Sequence, residues 1–427
     1  MLRFVYSLLW LLILPLALLR LVWRSRKESG YIQHVGERLG RYGDLSAAGP
    51  WLWVHAVSVG ETRAAQPLID ALLAAYPRHR LLLTHMTPTG RQTGAQLYGA
   101  NPRVQQCYLP YDLPWLVRRF LAYFQPDAGL IMETEVWPNL VHVTRRMGVP
   151  LFLVNARLSP RSYRRTARFG SAAAALYNDF TMVLAQTAGD AERYRALGVK
   201  SVQVTGNLKF DMQPPEAGVA RGQLLRQAFG NRHVLAAAST REGEEPLILE
   251  AFSRWPGTDR PALLLVPRHP QRFDEVATMA TRAGFSVQRR SALDIEQLSA
   301  PITADVVLGD SMGEMALYYA AGEVAFIGGS LLPLGGQNLI EACAVGTPVV
   351  IGPHTFNFAQ ATRDAVAAGA CAQVADAAAA VRVIDAWLSD ADAREAASRA
   401  ALAFAATHGG ATARTVEAVA SLVLPTL

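Results

Sequence analysis

A chain of 427 residues is too long for one ordinary domain and suits two, and its 51% apolar content excludes extensive disorder. Arginine carries almost all of the formal net charge of +6, which is compatible with nucleic acid, anionic lipid or phosphorylated substrates without choosing among them. The 3 cysteines are widely spaced and form no C-x-x-C pattern, which argues against a disulfide framework or zinc site and favours a reducing, cytosol-facing location.

The N-terminal segment is apolar from Phe4 to Leu19 except for Ser7, and arginines follow it closely. About 20 apolar residues are needed to cross a bilayer upright, so the segment is marginal as a span. No small-x-small cleavage site precedes the charges, which favours an uncleaved anchor over a removed signal peptide. The basic flank places the rest of the chain on the cytoplasmic side. We therefore predict a membrane anchor over residues 1–27, which either spans the bilayer or lies in its surface.

The first half of the remaining chain alternates short apolar runs with helical patterns such as Thr62–Tyr76 and Trp115–Phe124. This alternation is typical of βαβ units and parallel sheets. The predicted strands are Trp51–Val57, Arg80–Thr84, Ala128–Met132, Leu151–Asn155, Met182–Ala185 and Val202–Thr205. The segment Gln213–Glu216, with two prolines, interrupts the alternation and predicts a connection between domains, so the first Rossmann-like domain covers residues 28–212.

The sequence HAVSVGET at residues 55–62 lies where the first predicted strand ends and a helix begins. Glu61 falls in the first turn of that helix, where it either complements the helix dipole or acts as a general base on a substrate hydroxyl. The dipole is expected to lower the pKa of this carboxyl group. His55 is the rival base, although a buried strand histidine is usually structural.

Three further strand ends in the first domain carry polar side chains suited to a sugar or an anion. Thr87–Arg91 combines small hydroxyls with a glycine at a helix start, which predicts an anion or sugar site or plain N-capping. Met132–Asn139 contains Glu133 and Glu135, two acids that are suited to accept hydrogen bonds from sugar hydroxyls. Asn155–Ser159 adds a guanidinium suited to phosphate or carboxylate.

The alternation restarts in the second half, which predicts a second doubly wound sheet over residues 213–427. Its Ala-rich tail, Ala377–Leu424, is predicted to form helices that cover this domain. The predicted strands are His233–Ala238, Ala262–Val266, Val306–Leu308, Val324–Ile327 and Pro348–Ile351.

Three strand ends of the second half combine glycine with charge. Pro267–Pro270 holds an exposed arginine and histidine between prolines and favours an anion contact, and Gly309–Glu314 again turns from strand to helix. Gly328–Ser330 and Gly335–Ala342 offer close backbone approach and unpaired helix-start N–H groups to a phosphate. Glu341 is placed to accept hydrogen bonds from ribose hydroxyls, and the alternative is a capping box closed with Asn338.

Nucleotide motifs of other enzyme classes are absent from the sequence. There is no G-x-G-x-x-G and no G-x-x-x-x-G-K-[ST], which weakens dehydrogenase and NTPase interpretations. The D-x-D at Asp390–Asp392 lies in the helical tail and predicts a solvated helix start rather than a metal site. Without a metal, arginine and helix N-termini must hold a leaving phosphate.

Taken together, these segments resemble the bacterial transferases of 3-deoxy-D-manno-octulosonic acid (Kdo). The resemblance covers about residues 31–360 and implies a GT-B fold, in which two doubly wound Rossmann-like domains face a cleft behind an N-terminal anchor helix. The matching stretches are HAVSVGET, YLPYD at Tyr108–Asp112, ETEVWPN, NARLS, GNLKFD at Gly206–Asp211, AASTREGEE at Ala237–Glu245, LVPRHP, LGDSMGEM, FIGGS and GGQNLIEA.

The resemblance also implies roles for individual residues, with Glu61 as the catalytic base and neither a metal ion nor a cofactor. Residues implied to bind the donor are Arg268, His269, Gly309, Ser311, Met312, Gly313, Glu314, Ser330, Asn338 and Glu341. Residues implied to line the acceptor or Kdo side are Thr89, Gly90, Glu133, Asn155, Arg157 and Lys209.

The activity implied by the resemblance is inverting transfer of Kdo from CMP-Kdo to a hydroxyl of a lipid A precursor, lipid IVA, at the cytoplasmic face of a bacterial inner membrane. The expected partners are these two substrates and the membrane surface, without nucleic acid. Two alternatives stay open at this point. One is a GT-B transferase that uses a UDP-sugar on a lipid acceptor, and the other is a membrane-tethered sugar-nucleotide binder without catalysis.

Overall fold

The computed structural model describes residues 2–26, 29–43, 45, 49–257, 259–297 and 301–423. Lys27 and Leu424, where the predicted anchor and tail end, lie outside these residues. Internal contacts divide the chain into two compact units. The first comprises Met1–Met212 with Gly409–Leu427, and the second comprises Gln213–His408.

The first unit is built on a seven-stranded parallel sheet in the order β3-β2-β1-β4-β5-β6-β7. Its strands are β1 (Trp51–His55), β2 (Arg80–His85), β3 (Val104–Tyr108), β4 (Ala128–Met132), β5 (Leu151–Ala156), β6 (Met182–Ala185) and β7 (Val202–Val204). Its helices include α1 (Leu2–Ser25), α2 (Val35–Arg38), α3 (Val59–Ala75), α4 (Pro88–Tyr98), α5 (Pro114–Phe124), α6 (Pro138–Arg146), α7 (Pro160–Ala167), α8 (Ser171–Tyr177) and α9 (Ala188–Ala196).

The second unit repeats this plan with a seven-stranded parallel sheet in the order β10-β11-β9-β8-β12-β13-β14. Its strands are β8 (Val234–Thr240), β9 (Ala262–Pro267), β10 (Val287–Arg289), β11 (Val306–Leu308), β12 (Val324–Ile327), β13 (Val349–Ile351) and β14 (Cys371–Gln373). Its helices are α10 (Glu216–Ala228), α11 (Glu244–Ser253), α12 (Phe273–Arg282), α13 (Met315–Ala321), α14 (Ile340–Ala344), α15 (Ala359–Ala367), α16 (Ala377–Ser389) and α17 (Ala391–Thr407).

The central strands form because their residues are apolar without interruption. Every residue of β1, β4, β8 and β9 is buried, as expected of parallel strands covered by helices on both faces. In each sheet the chain runs outward in both directions from one inner strand pair, β1 with β4 and β8 with β12. Ligands of doubly wound sheets bind beyond the carboxyl ends of the strands at such points.

The last helix, α18 (Ala411–Val423), packs against α3 and the 3₁₀ turn Leu208–Asp211 in the first unit. Ala411, Ala418 and Val419 are buried in the core of that unit. The prediction that the whole tail covers the second domain is therefore wrong for this helix. Alanine reports helix propensity and not the surface that the helix covers, because it is small enough to pack against either unit.

Helix α1 lies against the first unit along one of its faces. Its residues Trp10, Leu14, Ala17, Leu18 and Leu21 pack on a patch formed by Tyr111, Leu113 and Leu116. Its opposite face is exposed, with Phe4, Leu12, Leu16, Leu19 and Trp23 each more than 60% accessible to solvent. Over the described residues, Arg3–Ser25 is the one stretch that is long and apolar enough to cross a membrane, with a mean hydropathy of 2.2.

Candidate active site

Glu61 lies in the first turn of α3, directly beyond the carboxyl end of β1. Ser58 is the N-cap of this helix, and its hydroxyl accepts a hydrogen bond from the Glu61 N–H at 3.4 Å. The Glu61 carboxylate turns back over the loop and accepts a hydrogen bond from the Val57 N–H at 2.6 Å. The capping and catalytic interpretations of Glu61 are thus compatible, since one carboxylate oxygen caps the turn while the side chain stays partly accessible.

The pKa of Glu61 is raised to about 7, and burial of the carboxyl group is the largest cause. Hydrogen bonds from Val57 and Ser58 lower the pKa but are outweighed, and the nearby carboxylates of Glu133 and Glu135 raise it further. The expectation that the helix dipole leaves this group with a low pKa is therefore wrong. A dipole favours the charged form only modestly, whereas desolvation and like charges both disfavour it.

Glu133 and Glu135 follow β4, the strand beside β1, and so approach Glu61 across the gap between the two strand ends. Glu133 has a positive φ of 56°, which turns the chain sharply after the strand. Its carboxylate lies 3.4 Å from the Lys209 ammonium. The Glu135 carboxylate accepts a hydrogen bond from the Trp137 indole N–H at 2.9 Å. The structure therefore brings together the predicted residues Glu61, Glu133 and Lys209.

The loop after β2 lies against the loop that precedes Glu61, and Thr87 and Gly90 make the contact. The Thr87 hydroxyl donates to the Val57 carbonyl at 2.9 Å and accepts from the Gly90 N–H at 3.1 Å, so N-capping accounts for this threonine. A Cβ atom at Gly90 would lie 2.8 Å from the Val57 carbonyl oxygen, which explains the need for glycine. Gly90 thus positions the Glu61 loop, while Thr89 is exposed at the start of α4.

Asn155 stands at the end of β5 in a left-handed conformation, with φ of 53°. Its side chain is fully buried, and its carbonyl oxygen accepts a hydrogen bond from the Leu208 N–H at 3.1 Å. Among the described residues, the Asn155 amide nitrogen has no hydrogen-bond partner. Asn155 thus fixes the turn that carries Lys209, and Arg157 lies half-buried two residues further along the chain.

His55, the rival base, is held at the end of β1 inside the sheet. Its Nδ1 lies 2.8 Å from the Thr84 hydroxyl, which also accepts a hydrogen bond from the Trp53 indole N–H at 2.8 Å. Burial lowers the pKa of His55 to about 3. A neutral imidazole with so low a pKa is a weak base, so the structure favours Glu61. Its Nε2 is buried without a hydrogen-bond partner in the described part of the chain.

Cationic side chains collect in the second unit beyond the ends of β8 and β9. Arg268 and His269 are exposed there, and the Arg268 N–H donates to the Thr240 carbonyl at 2.9 Å. The pKa of His269 is lowered by desolvation and by the charges of Arg241, Arg268 and Arg272. Sequence reasoning missed Arg241 as a site residue, although its position directly after a fully buried strand was a usable signal. This cluster is suited to an anion.

In the turn after β11, Ser311 and Glu314, which the sequence predicts to bind the donor, are already bonded to other protein side chains. Ser311 bonds both the Glu314 carboxylate and, at 2.6 Å, the Tyr318 hydroxyl. Arg221 and Arg290 bind the same carboxylate at 2.8 and 2.9 Å, so Glu314 is already neutralised by protein cations. Met312 and Gly313 are exposed at the tip of the turn, whereas Gly309 is buried against neighbouring side chains.

In the glycine-rich turns after β12, Ser330 is buried, whereas Asn338 and Glu341 are partly accessible to solvent. Ser330 is fully buried, where its hydroxyl donates to the Ile327 carbonyl and accepts from the Gly352 N–H. A contact between the Ser330 hydroxyl and the donor substrate would have to replace these two hydrogen bonds. Asn338 donates to the Glu341 carboxylate at 2.9 Å, and both residues stay partly accessible. The helix that follows, α14, has only 5 residues, which weakens the predicted helix-start phosphate site.

Comparison with known proteins extends over almost the whole chain. The sequence profile of 3-deoxy-D-manno-octulosonic acid transferases matches residues 33–212, and that of group 1 glycosyl transferases matches residues 288–403. The chain is 47% identical over 428 residues to a 3-deoxy-D-manno-octulosonic acid transferase of Bordetella pertussis, with 98% of each chain covered. The chain belongs to the Kdo transferase family.

One further relative and one solved structure show how far this Kdo transferase resembles known proteins in sequence and in fold. A 3-deoxy-D-manno-octulosonic acid transferase of Haemophilus influenzae is 36% identical over 402 residues, with 92% of each chain covered. The structure of a glycosyltransferase from Rickettsia africae matches with a TM-score of 0.60 over 88% of this chain and 99% of that chain, at 12% identity. The predicted fold class, two Rossmann-like domains of the GT-B type with an N-terminal apolar helix, is confirmed.

The arrangement gives this Kdo transferase two chemically different groups of strand-end residues. The first unit offers a carboxylate whose pKa lies near neutrality, and the second offers a cluster of cations. In the part of the chain that the structure describes, no three His, Cys, Asp or Glu side chains are grouped to hold a metal ion. The roles of the individual residues and the expected absence of a metal and a cofactor stay predictions.

Proposed function

We propose that this Kdo transferase moves Kdo from CMP-Kdo to a hydroxyl of a lipid A precursor, lipid IVA, with inversion and without a bound metal ion. The observation that carries the proposal is the environment of Glu61. Its pKa of about 7 lets the carboxylate be present at neutral pH and still bind a proton well. A general base works best when its pKa lies near the operating pH.

In the proposed reaction, the Glu61 carboxylate takes the proton from the acceptor hydroxyl. The hydroxyl oxygen forms a bond to the anomeric carbon of Kdo while the bond from that carbon to the phosphate oxygen breaks. The electron pair leaves with CMP, which departs as a phosphate monoester. Arg241 and Arg268 supply the positive charge that stabilises this leaving group, and the imidazole of His269, whose pKa is lowered, supplies a hydrogen-bond donor.

The acceptor side of the proposal rests on the polar loops of the first unit. Glu133 and Glu135 offer oxygen atoms to sugar hydroxyls, while Lys209 and Arg157 offer positive charge to a phosphate or carboxylate. Lys209 is already paired with Glu133. The pair can therefore bind a polyhydroxylated anion, because Lys209 can donate hydrogen bonds to the anionic group while Glu133 accepts them from hydroxyl groups.

The transfer is tested by incubating the purified full-length enzyme with lipid IVA and a CMP-Kdo supply, with and without EDTA, and reading the lipid by mass spectrometry. We expect the mass of one or more Kdo residues to be added in both cases. Transfer from UDP-sugars instead of CMP-Kdo would overturn the donor. CMP binding without any transfer would favour a non-catalytic binder, and loss of turnover with EDTA would overturn metal independence.

We also propose that the enzyme is held at the cytoplasmic face of the inner membrane by α1 lying in the plane of the membrane surface. Ser7, near the start of α1, accepts a hydrogen bond from the Asn139 amide at 3.0 Å. Trp10 packs against Tyr111 with tilted rings whose centroids are 5.6 Å apart, and Arg24, near the end of α1, lies over the Tyr31 ring. A helix held to a water-soluble unit along its length has only its other face free to enter lipid.

The orientation of α1 is tested with spin labels on Leu8→Cys and Leu19→Cys, which are both exposed and lie on one side of the helix about 16 Å apart along its axis. The native Cys107, Cys343 and Cys371 are buried, which favours selective labelling. In vesicles with anionic lipid, an in-plane helix places both labels at the same shallow depth. A depth difference close to the full helical separation would show a span and overturn the in-plane orientation.

A further inference from the structure

Glu244 is a fully buried carboxylate at the first position of α11, directly beyond the end of β8. It accepts three hydrogen bonds from consecutive backbone N–H groups of the β12 loop, those of Gly329 at 2.5 Å, Ser330 at 2.9 Å and Leu331 at 2.9 Å. A fourth comes from the Arg241 N–H at 2.9 Å. Both oxygens are thus used, and each bond is strengthened by the negative charge.

Consecutive N–H groups that converge on one point form an anion-binding nest, as in phosphate-binding loops. In this loop the anion is part of the protein, so the nest is not open to a ligand phosphate. The three N–H groups lie at the β8–β12 switch point, where ligands of doubly wound sheets bind. A phosphate bound nearby must therefore rely on the side-chain cations that surround this loop.

Glu245, the next residue, is also fully buried and connects β8 with the loop after β9. Its carboxylate accepts a hydrogen bond from the Thr240 hydroxyl at 2.9 Å and one from the Arg272 guanidinium at 2.7 Å. Two successive acids thus fasten the loops after three adjacent strands, β9, β8 and β12, to the start of one helix. Buried carboxylates are costly unless they are paired, so this arrangement indicates that loop position is what they secure.

We propose that Glu244 is a positioning residue for the donor nucleotide. It acts as a built-in anion that closes the nest of Gly329–Leu331 and fixes the loop, so that the donor phosphate is bound by Arg241, Arg268 and His269. The inference rests on the proposed donor function of the second unit. It adds that the glycine-rich loop shapes this site without itself binding the phosphate.

The test compares Glu244→Gln, Glu244→Asp and Glu244→Ala in the full-length enzyme, with CMP binding measured by calorimetry and steady-state kinetics for both substrates. We expect Glu244→Gln to raise the KM for CMP-Kdo at least tenfold while the acceptor KM stays within twofold, because the amide nitrogen faces backbone donors. Aspartate should restore part of the affinity. Added formate should lower the donor KM of Glu244→Ala, because it refills the nest.

The matched control is Glu250→Gln, which removes the same charge from an exposed position on the same helix and should leave both KM values unchanged. Equal losses for donor and acceptor, or a tighter CMP affinity in Glu244→Ala, would overturn the positioning role, since the second result would mean that phosphate enters the vacated nest. If a variant does not fold, the remaining two decide the test. Absence of CMP binding by the unmodified enzyme would instead refute the proposed function.

Discussion

The two sheets share one architecture but use the loops at their switch points in opposite ways. In the first unit, the loops after β1 and β4 leave Glu61, Glu133 and Glu135 close enough for their charges to interact, and Glu133 also forms an ion pair with Lys209. In the second unit, Glu244 and Glu245 are buried and engaged by backbone N–H groups, a hydroxyl and an arginine, while cations remain exposed.

The difference shows how a single fold supplies a base in one place and an anion site in another. Burial and the like charges nearby raise the pKa of Glu61, so this carboxylate can take up a proton near neutral pH. Where a buried carboxylate is fully hydrogen-bonded, as that of Glu244 is, it holds a loop rigid and leaves the surplus positive charge available to a ligand. The raised pKa of Glu61 in the first unit therefore predicts reactivity. The fully hydrogen-bonded carboxylate of Glu244 in the second unit predicts a rigid binding loop. Four measurements test this contrast between the two units.

The largest effect is expected from Glu61→Gln, which keeps the size of the side chain but removes the base. Turnover should fall by about 10²- to 10⁴-fold, the usual contribution of a general base, while the KM for CMP-Kdo changes little. Steady-state kinetics and calorimetry with CMP measure the two quantities separately. Glu192→Gln, an exposed acid of the same unit, serves as control. Turnover equal to that of the unmodified enzyme would remove Glu61 as the base.

The second effect concerns the cation cluster of the second unit. Arg268→Met should raise the KM for CMP-Kdo by about 10- to 100-fold, since hydrogen bonds to charged groups contribute roughly 1.5–3 kcal/mol. The acceptor KM should not change. Arg282→Met removes the same charge from an exposed position at the end of α12 and should have no effect on either. If both variants behave alike, general electrostatic attraction and not a local contact would explain donor binding.

The third effect is a shift in pH dependence. A general base must be deprotonated, so kcat/KM should rise with pH through about 7, the pKa of Glu61. Because Glu135 raises that pKa by like-charge repulsion, Glu135→Gln should move the rise to lower pH. A pH profile from 5 to 9 measures the shift. A rise that stays in place or moves upward would contradict the proposed coupling of the two carboxylates.

The smallest effect is on stability. The folded-state pKa of Glu61 lies above its ordinary value of 4.5, so the native state binds the extra proton and loses stability as the pH rises from 4.5 to about 7. Glutamine does not titrate, so Glu61→Gln should melt about 2–4 °C above the parent at pH 8, and the gap should narrow at pH 5. A lower melting temperature at pH 8 would show that the Glu61 charge stabilises the fold.

The sequence pattern predicts the central strands of each sheet and one edge strand, β7, but misses the other three edge strands. β3, β10 and β14 escape prediction, and all three are edge strands. An inner parallel strand is covered on both faces and must be apolar throughout, which makes it visible as a run. Edge strands such as Val104–Tyr108 and Val287–Arg289 carry glutamine or arginine, because part of their surface meets solvent. The prediction therefore fails at three of the four strands that lie at a sheet edge.

The sequence predicts which strand ends carry charged residues, and its motifs in a fixed order indicate the family to which the chain belongs. What those charges do depends on the tertiary structure. Glu61 gains its high pKa from burial and from acids more than 70 residues away in the chain, and Glu244 meets Gly329 across 85 residues. Desolvation and pairing depend on distances between segments, and a local pattern contains no information about those distances.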